Sequence, residues 1–225
     1  MNESAFSYLP LFLKAAGTTI WLSWLALLVG AVGGTLVALS RTSKFLPLRL
    51  AALCFTEFFR SIPILIVLFF AYFGVPLVLG FDLSPFAAAT IALALHASAT
   101  MSEVVRAGLE SVGRGQWEAA QSAGMTYLQV MRHVVGPQAL RVILSPSVGV
   151  YIATLKESSL ASIIGYVELT KTGLLVRESS GGGFEALLIL AVLYFLINYC
   201  ISLVGARLER RFNVGTQLLT AGAGQ

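Results

Sequence analysis

Polar side chains interrupt the apolar runs of this sequence in a pattern that suits either local ion pairing or the lining of a path across a membrane. Glu57 and Arg60 lie three residues apart, and Glu103 and Arg106 repeat that spacing. Residues three apart share one face of a helix, so each pair suits a local ion pair near a membrane interface. Two further polar runs comprise His96, Ser98, Thr100 and Glu103, and Lys156, Glu157, Ser158 and Ser159.

Ionisable groups inside membrane-spanning helices usually face a water-filled cavity or a partner. The residues predicted on this ground to line a substrate path are Glu57, Ser98, Thr100, Glu103 and Lys156. For His96, a hydrogen bond to a neighbouring helix is an equally good interpretation. An intramembrane hydrolase is a further alternative, but no Gly-x-Ser context or serine–histidine pairing favours it. No catalytic residue or cofactor is predicted. No metal site is predicted either, since the two cysteines have no CxxC spacing.

The elements that carry these residues are membrane helices. Hydrophobic residues make up 57% of the chain and charged residues 12%, with a mean hydropathy of +0.83. A soluble domain has about 25% charged residues, so this composition indicates a polytopic membrane protein. The net charge of +4 comes without a basic run, which argues against a nucleic-acid partner.

About five segments are long enough to span the bilayer, for which a helix needs about 20 mainly apolar residues. A fifth segment, Val142–Tyr166, carries Lys156 and Glu157 near its middle, so it is the least certain by hydropathy. An amphipathic stretch, roughly Leu46–Arg60, is expected to bend at Pro63 into the second span. The four clear spans are Thr18–Leu39, Ser61–Gly80, Pro85–Val105 and Ala186–Ala206.

The distribution of lysine and arginine predicts the orientation. If all five segments span, ten basic residues share one side and three, Lys14, Lys171 and Arg177, share the other. Because basic residues concentrate in cytoplasmic loops, the N-terminus is predicted outside and the C-terminus in the cytoplasm. The SSGGG stretch at 179–183 is then an outside loop. The ten cytoplasmic residues are Arg41, Lys44, Arg49, Arg106, Arg114, Arg132, Arg141, Arg207, Arg210 and Arg211.

Residues 106–141 form a cytoplasmic segment that is too polar to cross the membrane. Its apolar residues recur every three or four positions, as in an amphipathic helix, and Gly124 interrupts them. A glycine there suits a turn between two short helices or the close approach of another backbone. The segment suits either a helix on the membrane surface or the docking site of a protein partner. The predicted apolar stripe comprises Trp117, Ala120, Ala123, Tyr127, Met131 and Val134.

This segment resembles the cytoplasmic-loop signature of ABC importer membrane subunits, which reads Glu-Ala-Ala, three residues, Gly, nine residues, Ile-x-Leu-Pro. The sequence departs from the signature at Gly136, where the family usually has Leu. The blocks EFFRSIP, RGQWEAA and LKESSLASIIGYVELT resemble the polar amino acid branch, and the resemblance covers roughly residues 10–212. The signature maps onto Glu118, Ala119, Ala120, Gly124, Val134 and Pro137.

The resemblance implies an all-α bundle with the type I importer permease fold, as one transmembrane domain over residues 1–225. Residues 106–141 would be short coupling helices on a cytoplasmic ATP-binding subunit. The chain itself has no G-x-x-x-x-G-K-[ST] phosphate loop, so ATP hydrolysis is expected on that subunit. The predicted coupling residues are Glu118, Ala119, Ala120, Gly124 and Pro137.

The resemblance also implies partners and a location. The other expected partners are a second permease copy or a related permease, and an extracytoplasmic binding protein. The substrate would be a polar amino acid of the histidine, glutamine or glutamate type, imported across the bacterial inner membrane. The alternative function is a channel or secondary carrier that works without an ATPase, and the long cytoplasmic segment argues against it.

Overall fold

The computed structural model describes residues 5–180 and 183–221, and every regular element within them is helical. After a 3-10 turn at Ala5–Tyr8, the described part contains eight helices in chain order. Two of them, α3 and α6, combine α-helical turns with a short π-helical stretch. The helices are α1 (Leu9–Arg41), α2 (Leu46–Ser61), α3 (Ile64–Leu79), α4 (Pro85–Glu110), α5 (Arg114–Ser122), α6 (Tyr127–Ser162), α7 (Leu169–Ser180) and α8 (Gly183–Ala221).

A sharp bend separates α2 from α3. The two helices meet at 104°, with Ile62 and Pro63 extended at ψ 132° and 131°. A proline ring disfavours the helical conformation of the residue before it, which explains why α2 ends there. The predicted lead-in helix and its bend at Pro63 are confirmed. The span predicted over Ser61–Gly80 is shorter than expected, since α3 passes as a span only together with α2.

Each π-helical stretch ends two residues before a proline. Residues Phe70–Gly74 precede Pro76, and Met131–Val135 precede Pro137. Proline has no N–H to donate to the carbonyl four residues earlier, and its ring clashes with that carbonyl, so the turn widens. In the second stretch, a Cβ on Gly136 would lie 2.4 Å from the Met131 carbonyl oxygen. The glycine that departs from the family signature therefore fits this widened turn.

The centre of the bundle is the interface between α1 and α4. A Cβ added to Gly30 would lie 2.6 Å from the Ala97 Cβ, and one added to Gly34 would lie 2.6 Å from the Met101 Cβ. Real Cβ atoms do not approach that closely, so these glycines let the two backbones meet, as small residues do between membrane helices. Of the most apolar window of α4, 61% is buried, which makes it the central helix.

The fifth predicted span, which the hydropathy supported least, is helical in the structure. Helices α1, α4, α6 and α8 are each long and apolar enough to cross a membrane, and the bent pair α2–α3 makes up to five spans. Helix α6 begins at Tyr127 and its 36 residues exceed the bilayer thickness at about 1.5 Å per residue. The predicted bounds Val142–Tyr166 were therefore wrong. The helix starts 15 residues earlier, inside the cytoplasmic segment, and ends before a turn at Gly165, whose φ is +86°.

Beyond α6 the chain forms a further helix, α7, which the sequence analysis did not predict. Residues 179–180 of the SSGGG stretch end this helix, and residues 181–182 lie outside the described residues. Helix α8 follows, and only 6% of its most apolar window is buried. Most of α8 therefore faces lipid or another subunit rather than this chain.

Candidate functional site

The cytoplasmic segment consists of α5, a tight turn and the first turns of α6. The Met125 N–H donates to the Ala120 carbonyl at 3.2 Å, and the Gly124 N–H donates to the Gln121 carbonyl at 2.9 Å. This pair of bonds is a Schellman motif, which requires a left-handed residue after the helix. Gly124 supplies it, with φ at +78°. Of the two predicted roles for Gly124, a turn between two helices is confirmed within this chain.

The start of α6 is also defined by its own side chains. The Thr126 N–H donates to the Gln129 side-chain oxygen at 2.8 Å, and the Thr126 hydroxyl accepts in return from the Gln129 N–H. Such a capping box satisfies two of the unpaired N–H groups at a helix start. The turn is thus held from both sides, which gives the segment one defined shape.

A small apolar cluster fixes this segment to the ends of the long helices. Ala120 of α5 is 6% exposed, and the partly buried Trp117 and Met131 pack against the same cluster. The predicted stripe does not follow one continuous helix, because the chain turns at Gly124. Ala123 and Tyr127 are exposed, and the Tyr127 ring lies 6.0 Å from the ring of Trp117. The buried members of the cluster are Val112, Ala120, Val130, Val135 and Ala139.

The outer face of the segment carries both the signature residues and large apolar side chains. Glu118, Ala119 and Pro137 are exposed, and no atom lies within 4 Å of a Cβ built on Gly124. Tyr127 is 57% exposed and Leu128 is 75% exposed. The predicted coupling residues therefore share one short segment, with Ala120 as its buried base and the others at the surface.

Glu103 lies at the centre of a charged cluster that joins three helices. Its Oε1 contacts Arg41 of α1 and lies 3.7 Å from Nη1 of Arg60 in α2. Its Oε2 accepts from Nη2 of Arg106 at 2.7 Å and from Nε at 3.0 Å. The predicted local pair of Glu103 with Arg106 is confirmed. Both carboxylate oxygens are occupied, so in this conformation Glu103 connects helices rather than facing a cavity.

The second predicted local pair was wrong. Arg60 reaches Glu103 of another helix, and Glu57 makes no ion pair within the described part of the chain. The difference has a geometric reason, since α2 packs against α4 and brings the exposed Arg60 side chain to Glu103. Glu57 is exposed on α2.

The remaining α4 residues of the predicted path face different neighbours. Ser98 is 6% exposed and packs on Gly33 of α1, where an added Cβ would lie 2.6 Å from the Ser98 hydroxyl. Thr100 is half-buried and donates to the His96 carbonyl at 3.1 Å. His96 Nδ1 lies 3.2 Å from Glu157 Oε2, so the interpretation of His96 as an interhelical hydrogen-bonding residue is confirmed. The five predicted path residues are not brought together in one cavity.

Lys156 points away from these residues into a groove between α6, α7 and α8, which we call the α6–α8 groove. The groove has a volume of about 650 Å³. The Lys156 side chain is exposed and makes no ion pair or hydrogen bond within the described residues. Polar residues that line the groove are Lys156, Ser159, Thr170, Tyr194, Asn198, Tyr199 and Ser202.

The sequence belongs to a known transporter family. It matches the binding-protein-dependent transport system inner membrane component family over residues 30–214. The chain belongs to this family. It is 34% identical to the probable glutamine ABC transporter permease protein GlnM of Bacillus subtilis over 212 residues, which cover 94% of this chain and 98% of that protein. It is 34% identical to the glutamine transport system permease protein GlnP of Escherichia coli K12 over 210 residues, which cover 92% and 94%.

The solved structures agree with the sequence comparison. A crystal structure of an amino acid ABC transporter with histidines contains a chain that is 35% identical, with a TM-score of 0.86, covering 92% of this permease and 96% of that chain. The all-α type I importer permease fold implied by the signature is thus confirmed. The chain is a membrane-spanning permease component of a binding-protein-dependent ABC transport system.

A buried carboxylate at the start of α7 escaped the sequence analysis of this permease. Glu168 is fully buried and accepts from the backbone N–H groups of Thr170 at 2.9 Å and Lys171 at 2.7 Å, and from the Tyr194 hydroxyl at 3.1 Å. Burial raises the pKa of the Glu168 carboxyl above its usual range, against the effect of these hydrogen bonds. An acidic residue at a helix start was the available signal, since it satisfies the first N–H groups.

Asn198 was also missed. Its Nδ2 donates to the Tyr194 carbonyl at 2.7 Å, whereas its Oδ1 is buried and has no hydrogen-bond partner among the described residues. A carboxamide inside the apolar run of α8 was a signal in the sequence, because such residues usually bind across helices.

Proposed function

We propose that this permease imports a polar amino acid and that a separate cytoplasmic subunit hydrolyses the ATP. Support for an amino acid comes from the relatives, which include two permeases named for glutamine. Support for the ATP-hydrolysing partner comes from the family and from a solved relative, which is a chain of an amino acid ABC transporter. The expected assembly contains ATP-binding subunits, a second copy of this chain or a related permease, and an extracytoplasmic binding protein.

The observation that carries the coupling role is the exposed face of the α5–α6 turn. Tyr127 and Leu128 are exposed by 57% and 75%, although a capping box and a Schellman motif hold their backbone in one shape. A rigid segment with exposed large apolar side chains is typical of a protein contact. Glu118 lies on the same short segment, and a carboxylate would not favour an anionic lipid surface. We therefore assign this face to the ATP-hydrolysing subunit.

The orientation follows from the same assignment. We propose that the N-terminus lies outside and the C-terminus in the cytoplasm, because ten basic residues then lie on the cytoplasmic side and three outside. Reporter fusions after Arg211 and at Ser179 should report opposite sides of the inner membrane. Reporters on the same side at both positions would contradict this orientation.

The substrate path is proposed to use the exposed predicted residues. Glu57 and Lys156 are exposed and have no ion pair within the described residues. Ser98 and Glu103 would shape the path indirectly, because both hold α4 against its neighbouring helices. Thr100 lies between them in the sequence and is half-buried. The alternative function, a channel or a secondary carrier without an ATPase, would not need the exposed apolar face of the α5–α6 turn, because no ATPase would bind there.

Substitution of Gly124 tests the coupling role. We expect Gly124→Trp to abolish uptake and to reduce co-purification of the ATPase subunit, because the indole would protrude from the contact face. Glu118→Lys should act similarly, since a reversed charge at a protein interface can cost several kcal/mol. The measurement is uptake into vesicles alongside the amount of ATPase that co-purifies with equal amounts of permease.

Gly80 offers a matched control. It has a φ of +73°, close to the +78° of Gly124, and an added Cβ meets no atom within 4 Å at either position. The left-handed conformation costs a non-glycine residue about 1–2 kcal/mol, and this cost is common to both variants. Gly80→Trp should therefore keep ATPase binding. Normal uptake in Gly124→Trp, or equal losses in both variants, would show that the segment does not couple to the ATPase.

A further inference from the structure

Helix α2 lies across α4 rather than along it. The Thr56 hydroxyl of α2 lies 3.0 Å from the Ser102 hydroxyl of α4. One turn later in α2, Arg60 lies 3.7 Å from Glu103, which is the next residue of α4. About 6 Å of α2 therefore passes about 1.5 Å of α4. Because α4 is a membrane-spanning helix, this crossing and the 104° bend into α3 place α2 close to the membrane plane.

The crossing lies at the level of the lipid headgroups. Ser102 and Glu103 belong to the last turn of the predicted span Pro85–Val105, so they lie where α4 leaves the hydrocarbon core. In the proposed orientation this is the cytoplasmic boundary of the membrane.

Two opposite flanks of α2 differ in their chemistry. Arg49 and Arg60 are three helical turns apart and therefore share one flank. Phe58 lies two residues before Arg60, a rotation of about 200°, so it belongs to the opposite flank. A helix in the membrane plane with cations on one flank and apolar residues on the other is typical of a membrane-surface helix. The opposite flank is apolar and exposed along the whole helix, at Pro47, Ala51, Cys54 and Phe58.

The cations beside this boundary lack sufficient partners within the chain. Lys44 and Arg49 are exposed, and their side chains make no ion pair or hydrogen bond among the described residues. The Arg60 side chain is 45% exposed, and its 3.7 Å contact with Glu103 is longer than a hydrogen bond. Both oxygens of Glu103 are already engaged by other arginines. Arg60 therefore has N–H donors available for an anion from outside the chain.

An apolar groove opens in the corner between α2, α3 and α4, and we call it the bend groove. Its volume is about 350 Å³, and every side chain that lines it is apolar. Leu95 and Ile91 of α4 form its back wall, about 10–16 Å deeper in the membrane than Ser102. Ile66 and Phe70 of α3 line it and are 54% and 65% exposed. Apolar cavities do not hold water well, so this groove suits an apolar occupant.

We propose that α2 and the bend groove form a binding site for an anionic phospholipid, with its phosphate on Arg60 and an acyl chain in the groove. Such a lipid supplies an anion at the headgroup level and an apolar chain in the hydrocarbon core. Lys44 and Arg49 strengthen the attraction, since each basic residue near an anionic membrane surface adds to binding. The exposed outer side of α2, at Cys54 and Ser61, connects the two flanks.

The charge at Arg60 favours a lipid over the other occupants that an apolar groove could take. An apolar helix of a second permease could cover Ile66 and Phe70, but it would bring no anion to Arg60. The assignment to the cytoplasmic leaflet rests on the proposed orientation, whereas the binding site itself does not. Reporter fusions that reversed the orientation would move the site to the outer leaflet without changing the results expected below.

The experiment uses the complete transporter, with its ATPase subunits, in phosphatidylcholine nanodiscs. The probes are phosphatidylglycerol and phosphatidylcholine that carry the same diazirine-bearing acyl chain, each added in trace amounts. After illumination, mass spectrometry identifies the labelled peptides. The headgroup preference is the ratio of phosphatidylglycerol to phosphatidylcholine label on residues 58–75 and 91–95, divided by the same ratio over the other labelled peptides.

We expect a headgroup preference of about tenfold in wild type, because each basic residue near the surface contributes roughly a factor of five. Arg60→Gln should lower this preference about fivefold, and Arg49→Gln should lower it less. Arg60→Lys should retain it, since the charge is kept. Arg177→Gln is the matched control, because Arg177 is an exposed arginine on α7, and it should behave as wild type. A merely structural role of Arg60 would change both labels equally and leave their ratio unchanged.

A second pair of variants tests the acyl chain. Ile91→Trp places a larger side chain in the bend groove and should reduce the yield on residues 58–75 with both probes. Leu188→Trp makes a similar change on α8, where Leu188 is 49% exposed, and should leave that yield unchanged.

Three results would overturn the inference. The first is equal labelling of the bend groove by both probes in wild type. The second is no label in the bend groove while other exposed helices are labelled, which would mean that another subunit covers it. The third is a headgroup preference that persists in Arg60→Gln. If Arg60→Gln prevents assembly, Arg49→Gln decides, since its side chain has no partner to lose, and an unchanged preference in that variant would equally reject the site.

Discussion

Gly34 in the α1–α4 interface and Gly124 in the α5–α6 turn occupy opposite environments. A Cβ on Gly34 would lie 2.6 Å from the Met101 Cβ and 2.7 Å from the Ser98 carbonyl oxygen. A Cβ on Gly124 would meet nothing within 4 Å, but its φ of +78° is unfavourable for any other residue. The first glycine is needed for space, and the second is needed for backbone conformation.

The two regions therefore differ in where their contacts lie: the first is packed within this chain, and the second leaves a surface for another protein. Within the helix bundle, α1 and α4 contact each other through close backbones and through the ion pairs of Glu103. The α5–α6 turn instead keeps a fixed shape and leaves Tyr127 and Leu128 exposed. Substitutions in the first region should act on stability, and substitutions in the second should act on partner binding with the fold intact.

The largest effect within this comparison is expected from Gly34→Leu. Met101 Cβ and the Ser98 carbonyl cannot move aside without separating the helices, so the added side chain overpacks the interface. Overpacking of a tight core usually costs 1–3 kcal/mol, and the backbone contact here should raise the loss above about 3 kcal/mol. The measurement is the thermal unfolding temperature of the purified permease in one detergent.

Gly17→Leu is the matched control for this variant. Gly17 lies in the same helix α1, is exposed, and an added Cβ meets no atom within 4 Å. The same side chain there should leave the unfolding temperature nearly unchanged, since leucine is a good helix former. Similar losses in both variants would mean that the α1–α4 interface does not depend on Gly34.

Local features of this permease were predictable because their causes lie within a few residues. The bend before α3 follows from Pro63, and the close α1–α4 contact involves two glycines four residues apart, Gly30 and Gly34. The turn at Gly124 was one of two predicted alternatives. Even the two π-helical stretches, which were not predicted, end two residues before Pro76 and Pro137.

Pairings between distant helices were not predictable in the same way. The sequence places Arg60 three residues from Glu57, but the tertiary fold brings Arg60 to Glu103. Likewise, Lys156 and Glu157 are neighbours in sequence, yet one faces α8 and the other binds His96 of α4. Neither choice is encoded in local spacing, because it depends on how the helices rotate against one another. The roles of the predicted path residues accordingly remain predictions.

A smaller effect is expected from Glu103→Gln, which tests whether ion pairs within this chain hold the helices of the bundle together. The amide keeps the size of the side chain but removes the charge shared by Arg41, Arg60 and Arg106. The three guanidinium groups would then repel one another without a common anion. Hydrogen bonds to charged groups contribute about 1.5–3 kcal/mol, and partial exposure of the cluster places the expected loss near the lower end of that range.

Glu57→Gln provides the control with the same change of charge. Glu57 is exposed and makes no ion pair within the described residues, so its replacement should change the unfolding free energy by less than about 0.5 kcal/mol. The measurement is unfolding of both variants in one detergent at low and at high salt. Salt should narrow the gap between Glu103→Gln and wild type, since the ion pairs of wild type are partly screened. A Glu103→Gln variant as stable as wild type, but defective in uptake, would place Glu103 on the substrate path instead.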